Sequence, residues 1–415
     1  MSPLELVGAL AAVVALLGVI NHRFIGLPDT LGIMAAGSLF ALVMALVGRH
    51  VPGVVEWAEG VASHIDFTEI VFQGLLGVLL FAGSLHTNLA DLARHRGRVF
   101  LLATLGVAIS TLVVGFGAHL LLALVGVPIA LKYCLLFGAL ISPTDPIAVL
   151  ALLKTIGAPK SLEIDIAGES LFNDGTGVVA FLFMLGIVSG AYEPTLATVA
   201  KLLALEVLGG LLLGLVVGYA AFLVLKGVDS YPVEILLTIA LATGGFALAQ
   251  RLHVSAPLAV VVMGLVIGNH GAESAMSDTT RRYMFQFWEL VEEILNLMLF
   301  GLMALTLLAF AGGDRSWLPA LALVPVVLVA RFASVGLPAL MLRRFIPRRT
   351  PHAVKVLTWG GLRGGISVAL ALSLPAFPGR DVLVMATYAV VLFSLLVQAP
   401  TLGPLLRKLE LGQRK

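Results

Sequence analysis

A series of long apolar stretches, separated by short polar segments, constrains the fold of this chain more than any other feature. A helix needs about 20 predominantly apolar residues to cross the hydrocarbon core of a bilayer. Thirteen stretches of suitable length fit into the 415 residues, and the first begins almost at the first residue. The pattern therefore predicts an all-α integral membrane protein with about 13 transmembrane helices.

The predicted spans run over residues 3–21, 28–47, 67–87, 98–125, 130–153, 164–188, 197–225, 232–250, 255–269, 287–311, 316–342, 354–374 and 381–404. The first lacks a basic leading region and a small-residue cleavage site, so we interpret it as a retained span. The run Val51–Asp66 is too polar to cross a membrane and is predicted to lie at an interface. Because the connecting segments are short, we expect one membrane domain over residues 1–415, with a short cytoplasmic tail over 405–415.

Composition excludes several classes of function. Hydrophobic residues make up 59% of the chain and charged residues only 12%, against about 25% charged residues in a soluble domain. The net charge is +2 and the basic residues lie in short loops, which argues against nucleic-acid binding. The single Cys134 leaves neither a disulfide framework nor a thiolate metal site.

The distribution of basic residues predicts the orientation in the membrane. Of the 26 Lys and Arg residues, 18 lie in segments after odd-numbered spans, 6 lie on the other side, and Arg331 and Arg363 fall within predicted spans. Basic residues are enriched in cytoplasmic loops. We therefore expect a protein of the cell (inner) membrane, with its N-terminus outside and its C-terminus in the cytoplasm.

Two predicted spans contain residues that interrupt a helix. In the span 130–153, Pro143 and Pro146 free backbone carbonyls, those of Ala139 and Ser142. In the span 354–374, four glycines surround an arginine, a composition that does not hold a regular helix. The two spans are the fifth and the twelfth in the chain. Because their positions differ by an odd number, they run in opposite directions through the membrane. Broken helices at matching places in two inverted halves indicate the binding site of a transporter, and the sequence predicts such an inverted repeat.

Three carboxylates lie in or beside these apolar segments. Asp145 follows the first interruption, and Glu169 and Asp174 lie in the next span. A charged side chain at this depth is costly unless it is paired, hydrated or bound to a cation, so a functional role is the default interpretation. Positions three and four apart are neighbours on a helix, so one face of the span 164–188 presents Glu169, Ser170, Asn173 and Asp174.

The chemistry of these residues favours a light cation or a proton. The predicted ion- and proton-binding residues are Thr144, Asp145, Glu169, Ser170, Asn173 and Asp174. Their oxygen atoms, without Cys or His, suit an alkali cation better than a transition metal. For Ser170 and Asn173 taken alone, hydrogen bonds that only join helices are the preferred explanation. We expect no catalytic residue and no cofactor.

The two arginines within the spans need partners in the membrane. Arg331 lies too deep to reach water easily and needs a buried anion, for which Glu169 is the candidate. We expect this pair to be structural, which leaves Asp174 as the carboxylate that exchanges a cation for a proton. Arg363 is predicted to compensate carbonyl dipoles at the glycine-rich break.

Weaker candidates lie near the predicted cytoplasmic surface. A group of three acidic residues at the start of the span 287–311 fits either a cation-attracting funnel or a solvated helix start: Glu289, Glu292 and Glu293. Three histidines in or near loops are better explained by surface solvation than by a role in pH sensing: His95, His270 and His352.

The run SPTDPIAVLALLKTIGAPKSLEIDIAGESLFNDGTGVV resembles the signature region of the cation:proton antiporter-1 family, the NhaP/NHE-type sodium–proton exchangers. Further similar segments are LPDTLGIMAAG, LLFAGSLHTNLADLARHR, SAPLAVVVMGLVIGN, FWELVEEILNLMLFGLMAL and WGGLRGGISVALAL. The resemblance implies an NhaA/NhaP-like fold. It also implies that Asp174 is the ion-binding carboxylate, surrounded by Asp145 and by the further sodium ligands Thr144, Glu169 and Ser170.

The resemblance further implies an assembly and a division of the chain. Family members are homodimers in which a core moves against a dimerisation scaffold. By resemblance the core covers residues 98–188 and 316–404, and the scaffold covers residues 3–87 and 197–311. The buried arginine of the family corresponds to Arg331, which pairs with Glu169.

These patterns favour a secondary antiporter in the lipid bilayer rather than an enzyme. We expect a monovalent cation to be exchanged for one proton, with Na⁺ as the main substrate and Li⁺ as a further one. The cation and the proton are expected to compete for Asp174. The neutral Asn173 before it leaves one titrating carboxylate, so the exchange is predicted to be electroneutral. The alternatives are potassium–proton exchange and an intramembrane aspartyl hydrolase using Asp145 and Asp174. The hydrolase leaves the broken helices and Arg331 unexplained.

Overall fold

The computed structural model describes residues 3–25, 75–191, 204–310, 317–342 and 352–411, with a few isolated positions besides. All regular secondary structure among these residues is helical, which confirms the predicted fold class. The predicted span 28–47 lies almost entirely outside the described residues, and the interfacial run Val51–Asp66 lies wholly outside them.

The helices are α1 (Pro3–Ile20), α2 (Leu76–Leu85), α3 (Leu89–Leu124), α4 (Leu131–Leu140), α5 (Ile147–Ile156), α6 (Lys160–Val188), α7 (Ala204–Leu225), α8 (Tyr231–Arg251), α9 (Ala256–Gly271), α10 (Asp278–Phe310), α11 (Leu318–Leu342), α12 (Ala353–Trp359), α13 (Gly365–Leu372) and α14 (Arg380–Lys408). A π-helical segment, Asn21–Ile25, continues α1, and the short helix Ala272–Ser274 follows α9. Further π-helical turns lie in α3, α7, α9 and α14, at Leu102–Gly106, Ala204–Leu208, Ile267–Gly271 and Ser394–Gln398.

Six of these helices are long and apolar enough to cross a membrane, namely α3, α6, α7, α8, α11 and α14. Two helices begin well before their predicted spans. The Asn88 side chain caps α3 by accepting from the Asp91 N–H, so the arginine-rich segment predicted as a loop is helical. Likewise α10 begins at Asp278 rather than near residue 287. Hydropathy detects only the part of a helix that lies in lipid, and these charged turns continue beyond it.

The C-terminal boundary also differs from the prediction. We expected the last span to end at residue 404, but α14 continues to Lys408, with Leu406 fully buried. The apolar face of this amphipathic end packs beside α5 and α12. The predicted tail therefore begins as helix, and its last four residues lie outside the described residues.

Both predicted interruptions are present. Residues 141–146 separate α4 from α5, and residues 360–364 separate α12 from α13. The N–H of Asp145 donates a hydrogen bond of 2.9 Å to the carbonyl of Leu362. The two breaks therefore cross each other, and one break satisfies backbone groups that the other leaves open.

The helices pack in two groups. Helices α3 to α6 contact one another and α11 to α14, whereas α2, α7, α8, α9 and α10 contact one another. The groups meet where α6 touches α2 and α9 and where α13 touches α10. Within each group, glycines allow backbones to approach closely, as is usual between helices in lipid. Gly138 of α4, for example, faces the backbone carbonyl of Thr111 on α3.

We expect Gly138→Ala to destabilise the protein, because the added methyl group would overlap the carbonyl of Thr111, which cannot turn away. Overpacking of this kind costs about 1–3 kcal/mol. Thermal unfolding in detergent should show a lower midpoint. Gly244→Ala is the matched control, since nothing lies within 4 Å of a methyl group there. Equal midpoints for the two variants would contradict this account of α3–α4 packing.

Candidate ion-binding site

The polar face of α6 is buried except at one carboxylate. Glu169 is 1% exposed, and Ser170 and Asn173 are each 2% exposed. Asp174 is partly exposed, on the side of the helix that faces a cavity. Gly177, one turn further along, packs against the ring of Pro143. The absence of a side chain there lets the α4–α5 break lie directly against the polar face of α6.

Thr144 joins this face to the break. Its hydroxyl lies 3.1 Å from the Ser170 hydroxyl and accepts from Asn173 Nδ2 at 3.2 Å. The backbone of Thr144 donates a hydrogen bond to the carboxylate of Asp174. Asn173 Nδ2 also donates to Glu169 Oε1 at 3.3 Å, whereas its Oδ1 has no partner among the described residues. The break and the helix thus form one polar network.

Glu169 is held on both carboxylate oxygens by Arg331 of α11. The two guanidinium–carboxylate distances are 2.5 Å and 2.7 Å, a bidentate arrangement. Arg331 Nε donates in addition to the carbonyl of Leu357 on α12, at 3.2 Å. Gly361 gives the guanidinium room, because a methyl group there would overlap Arg331 Nε. The predicted pairing is therefore present, and it links α6, α11 and α12.

Arg363 is completely buried, and its partners differ from the expected ones. It donates to the carbonyls of Ser142 and Pro143, which belong to the α4–α5 break, and not to carbonyls of its own break. The Ala139 carbonyl, expected to be free, accepts from the Ser142 N–H at 3.1 Å. The breaks cross, so an arginine in one lies at the carbonyl end of α4, where a positive charge is favourable.

Asp145 belongs to the α4–α5 break and contacts the other break. Its carboxylate packs against Gly364, the residue that precedes α13. A negative charge is favourable at the N-terminus of a helix. Asp145 is partly exposed and, like Thr144 and Asp174, lines the cavity.

This cavity has a volume of about 680 Å³ and lies between the two helix groups. Three of the six predicted ion-binding residues line the cavity: Thr144, Asp145 and Asp174. The other three, Glu169, Ser170 and Asn173, lie behind them. Lys160 and Glu163 at the start of α6 and acidic residues of α10 also line the cavity. A carboxylate that lines a cavity, backed by a hydrogen-bonded polar layer, can exchange a proton for a small cation.

The sequence interpretation missed or underrated several polar residues. Glu292 and Asn296 of α10 and Ser367 of α13 line the cavity, and the spacing of Glu292 and Asn296 at i, i+4 was a usable signal. Asp165 is 2% exposed and accepts from Arg98 at 2.9 Å and contacts His95 Nδ1 at 2.5 Å. His95, predicted as a solvated histidine, is therefore part of a buried contact between α3 and α6.

Comparisons with known proteins show which proteins this chain is similar to. The family model described as "Sodium/hydrogen exchanger, transmembrane" matches residues 10–408. The chain is 50% identical to the Na(+)/H(+) antiporter NhaP of Pseudomonas aeruginosa, over 99% of this chain and 98% of that protein. It is 34% identical to the Na(+)/H(+) antiporter NhaH of Halobacillus aidingensis, over 93% of each. The solved sodium proton antiporter MjNhaP1 from Methanocaldococcus jannaschii at pH 8 has a similar fold, with a TM-score of 0.77, 19% identity and 98% of both chains covered.

We expect Arg331→Ala and Glu169→Ala each to destabilise the protein strongly, since truncating one partner of a buried pair leaves an uncompensated charge. The cost of such a change is about 3–5 kcal/mol. The double variant should lose less than the sum of the single losses, because the residues share one interaction. Arg281→Ala, which removes an exposed partner of Asp278, is the control and should change little. Additive losses in detergent melting experiments would show that the pair is not coupled.

Proposed function

Since this chain belongs to the sodium/hydrogen exchanger family and exchanges sodium for protons across a membrane, we propose that one sodium ion and one proton compete in it for the carboxylate of Asp174. The observation that carries the proposal is the contrast between two carboxylates of one helix, α6. Both oxygens of Glu169 are held by Arg331, whereas Asp174 reaches the cavity. Only one of the two is therefore available to release a proton and accept an ion.

The sodium ion would be held by oxygen atoms on two sides. The carboxylate of Asp174 and the hydroxyls of Thr144 and Ser170 would supply the nearest oxygen ligands, with the carboxylate of Glu169 behind them. Oδ1 of Asn173, which has no partner in the part of the chain that the structure describes, is a further buried acceptor. Asp145 would contact the ion from the cavity side, where water can stand between them. Oxygen ligands of this kind suit an alkali cation.

Competition for one carboxylate also gives the pH dependence its sign. A proton and an ion need the same oxygens, so protonation of Asp174 excludes sodium. The apparent affinity for sodium therefore falls as the pH drops. Arg331 is bound to Glu169, and Arg363 is bound to the carbonyls of the break.

We also propose how the helix groups work. Helices α3–α6 and α11–α14 correspond to the core expected over residues 98–188 and 316–404, and α1, α2 and α7–α10 to the scaffold over 3–87 and 197–311. The cavity between them supports alternating access, in which the core moves against the scaffold. This multi-pass protein would lie in the inner membrane as a homodimer, with its N-terminus outside. The cavity end at Lys160 and Glu163 would then face the cytoplasm.

The alternatives have less support. The names of the relatives cite sodium and protons, which favours neither potassium–proton exchange nor peptide hydrolysis. A hydrolase would need Asp145 and Asp174 to share a proton. Here Asp145 packs against Gly364 at the start of α13, while Asp174 accepts from the backbone of Thr144. The two carboxylates thus contact different backbone segments.

We expect Asp174→Asn to abolish exchange while the protein stays folded, because the amide neither releases a proton nor carries the charge that holds sodium. Reconstituted vesicles would be tested for sodium-dependent proton flux, and gel filtration would check folding and assembly. Asp278→Asn changes a carboxylate that is 93% exposed and should leave the flux unchanged. Sodium-dependent flux in Asp174→Asn above that of empty vesicles would refute the assignment.

Exchange is expected to be electroneutral. With Glu169 bound to Arg331 and Asn173 neutral, one sodium ion replaces one proton, and both half-cycles carry the same charge. Moving a net charge across a membrane is worth about 2.3 kcal/mol per 100 mV, so an electrogenic cycle would respond strongly to voltage. Proteoliposomes with a sodium gradient would be held at several potentials with potassium and valinomycin. A steady-state pH gradient that shifts with the potential would show net charge movement and contradict one-for-one exchange.

A further inference from the structure

Helix α10 brings a second set of polar groups into the cavity, away from the ion-binding face of α6. Glu289, Glu292, Glu293 and Asn296 of α10 all line it. Glu289 and Glu293 are exposed, whereas Glu292 is partly buried and its Oε1 lies close to Gly83 of α2. Glu292 and Asn296 are four residues apart, so they share one face of the helix.

The surroundings of Glu292 leave its charge uncompensated. The charges that act on its carboxylate belong to Asp145, Glu289 and Glu293, and all three are negative. No ion pair joins Glu292 to a basic residue in the described part of the chain. A partly buried carboxylate among like charges is unfavourable unless a cation or a proton is bound there.

Ser367 and Asn296 give a second, independent indication of a ligand. Ser367, on the start of α13 that faces α10, is fully buried and lines the cavity, and its hydroxyl has no partner among the described residues. Buried polar groups normally have partners. Asn296 lines the same cavity and is only 8% exposed. A partnerless hydroxyl and a largely buried carboxamide in one cavity lining, beside a carboxylate, indicate a bound species with which they interact.

We propose that Glu292 and Asn296, together with Asp145, form an outer sodium subsite that the ion occupies before it reaches Asp174. This inference rests on the proposed function of Asp174 and adds a second binding position to it. Carboxylate and carboxamide oxygens are suitable ligands for an alkali cation. Asp145 lines the same cavity as Asp174 and acts electrostatically on both Glu292 and Asp174, so it links the two subsites.

Sodium-dependent thermal stabilisation separates the two subsites. In Asp174→Asn the central carboxylate is absent, so a rise in the unfolding midpoint with NaCl, compared with choline chloride at the same ionic strength, reports a different sodium site. We expect this rise to persist in D174N and to disappear in D174N/E292Q and D174N/N296A. It should remain in D174N/E293Q, which removes the same charge from an exposed position. A D174N protein without any sodium-specific rise would overturn the outer subsite.

Transport kinetics supply the second readout. We expect E292Q to raise the apparent KM for sodium about tenfold, the effect of one lost contact to a charged group, while kcat changes by less than about twofold. E289Q and E293Q should raise KM by less than about twofold, since exposed charges are screened beyond about 8 Å at physiological ionic strength. Equal KM shifts in all three variants would show that the α10 carboxylates attract sodium only through their overall charge, and would overturn the subsite.

The two proposals fail in distinguishable ways. Exchange by D174N would refute the role of Asp174 without affecting the comparison of sodium with choline in the α10 variants. Conversely, loss of exchange in D174N together with an unchanged KM in E292Q and N296A would leave Asp174 as the binding residue and refute the outer subsite alone.

Discussion

Backbone groups freed inside a membrane have no water to bind, and the crossing of the two broken helices meets this constraint. The N–H of Asp145 donates to the carbonyl of Leu362, and Arg363 donates to the carbonyls of Ser142 and Pro143. Each break therefore supplies what the other lacks. Because the crossing is satisfied internally, an irregular segment can remain at this depth and present a threonine and an aspartate to the cavity. The position of the proposed ion-binding residues Thr144 and Asp145 depends on these hydrogen bonds between the two breaks.

A second constraint is the difference in environment between two carboxylates five positions apart on α6, Glu169 and Asp174. Arg331 holds Glu169 in a bidentate pair and is itself fixed by the carbonyl of Leu357. A buried ion pair of this kind contributes little net stability compared with apolar packing, although breaking it is costly. In the mechanism proposed above its value is specificity: it removes one carboxylate from the exchange chemistry and leaves Asp174, which lines the cavity. The hydrogen bonds through Asn173 and Thr144 connect the carboxylate of Glu169 to that of Asp174.

The sequence predicted those features that follow from the cost of polar groups in lipid. Prolines and clustered glycines located both breaks, and the requirement for a buried anion identified Glu169 as the partner of Arg331. Features that depend on how helices cross could not be predicted. Arg363 was assigned to its own break, because nothing in the sequence indicates that the other break lies against it. Asp165 and His95 lie 70 residues apart, and only the packing of α3 on α6 brings them together. The charged starts of α3 and α10 fall outside any hydropathy window, so those helices were predicted too short.

The distribution of polar groups between the two helix groups has a consequence for transport. Thr144, Ser170 and Asp174 all belong to the group that contains the crossing, so their mutual contacts survive if that group moves as a unit. Glu292 and Asn296 belong to α10 in the other group, and Asp145 faces them across the cavity. A shift between the groups would therefore separate the outer ligands from Asp145 and leave the central site whole. An ion held at the outer subsite would be released or passed inward by the same displacement that carries the central site to the other side. The outer subsite takes its ligands from both helix groups, whereas the central site lies within one group. A single displacement between the groups would therefore change both access to the central site and binding at the outer subsite, without any further gate.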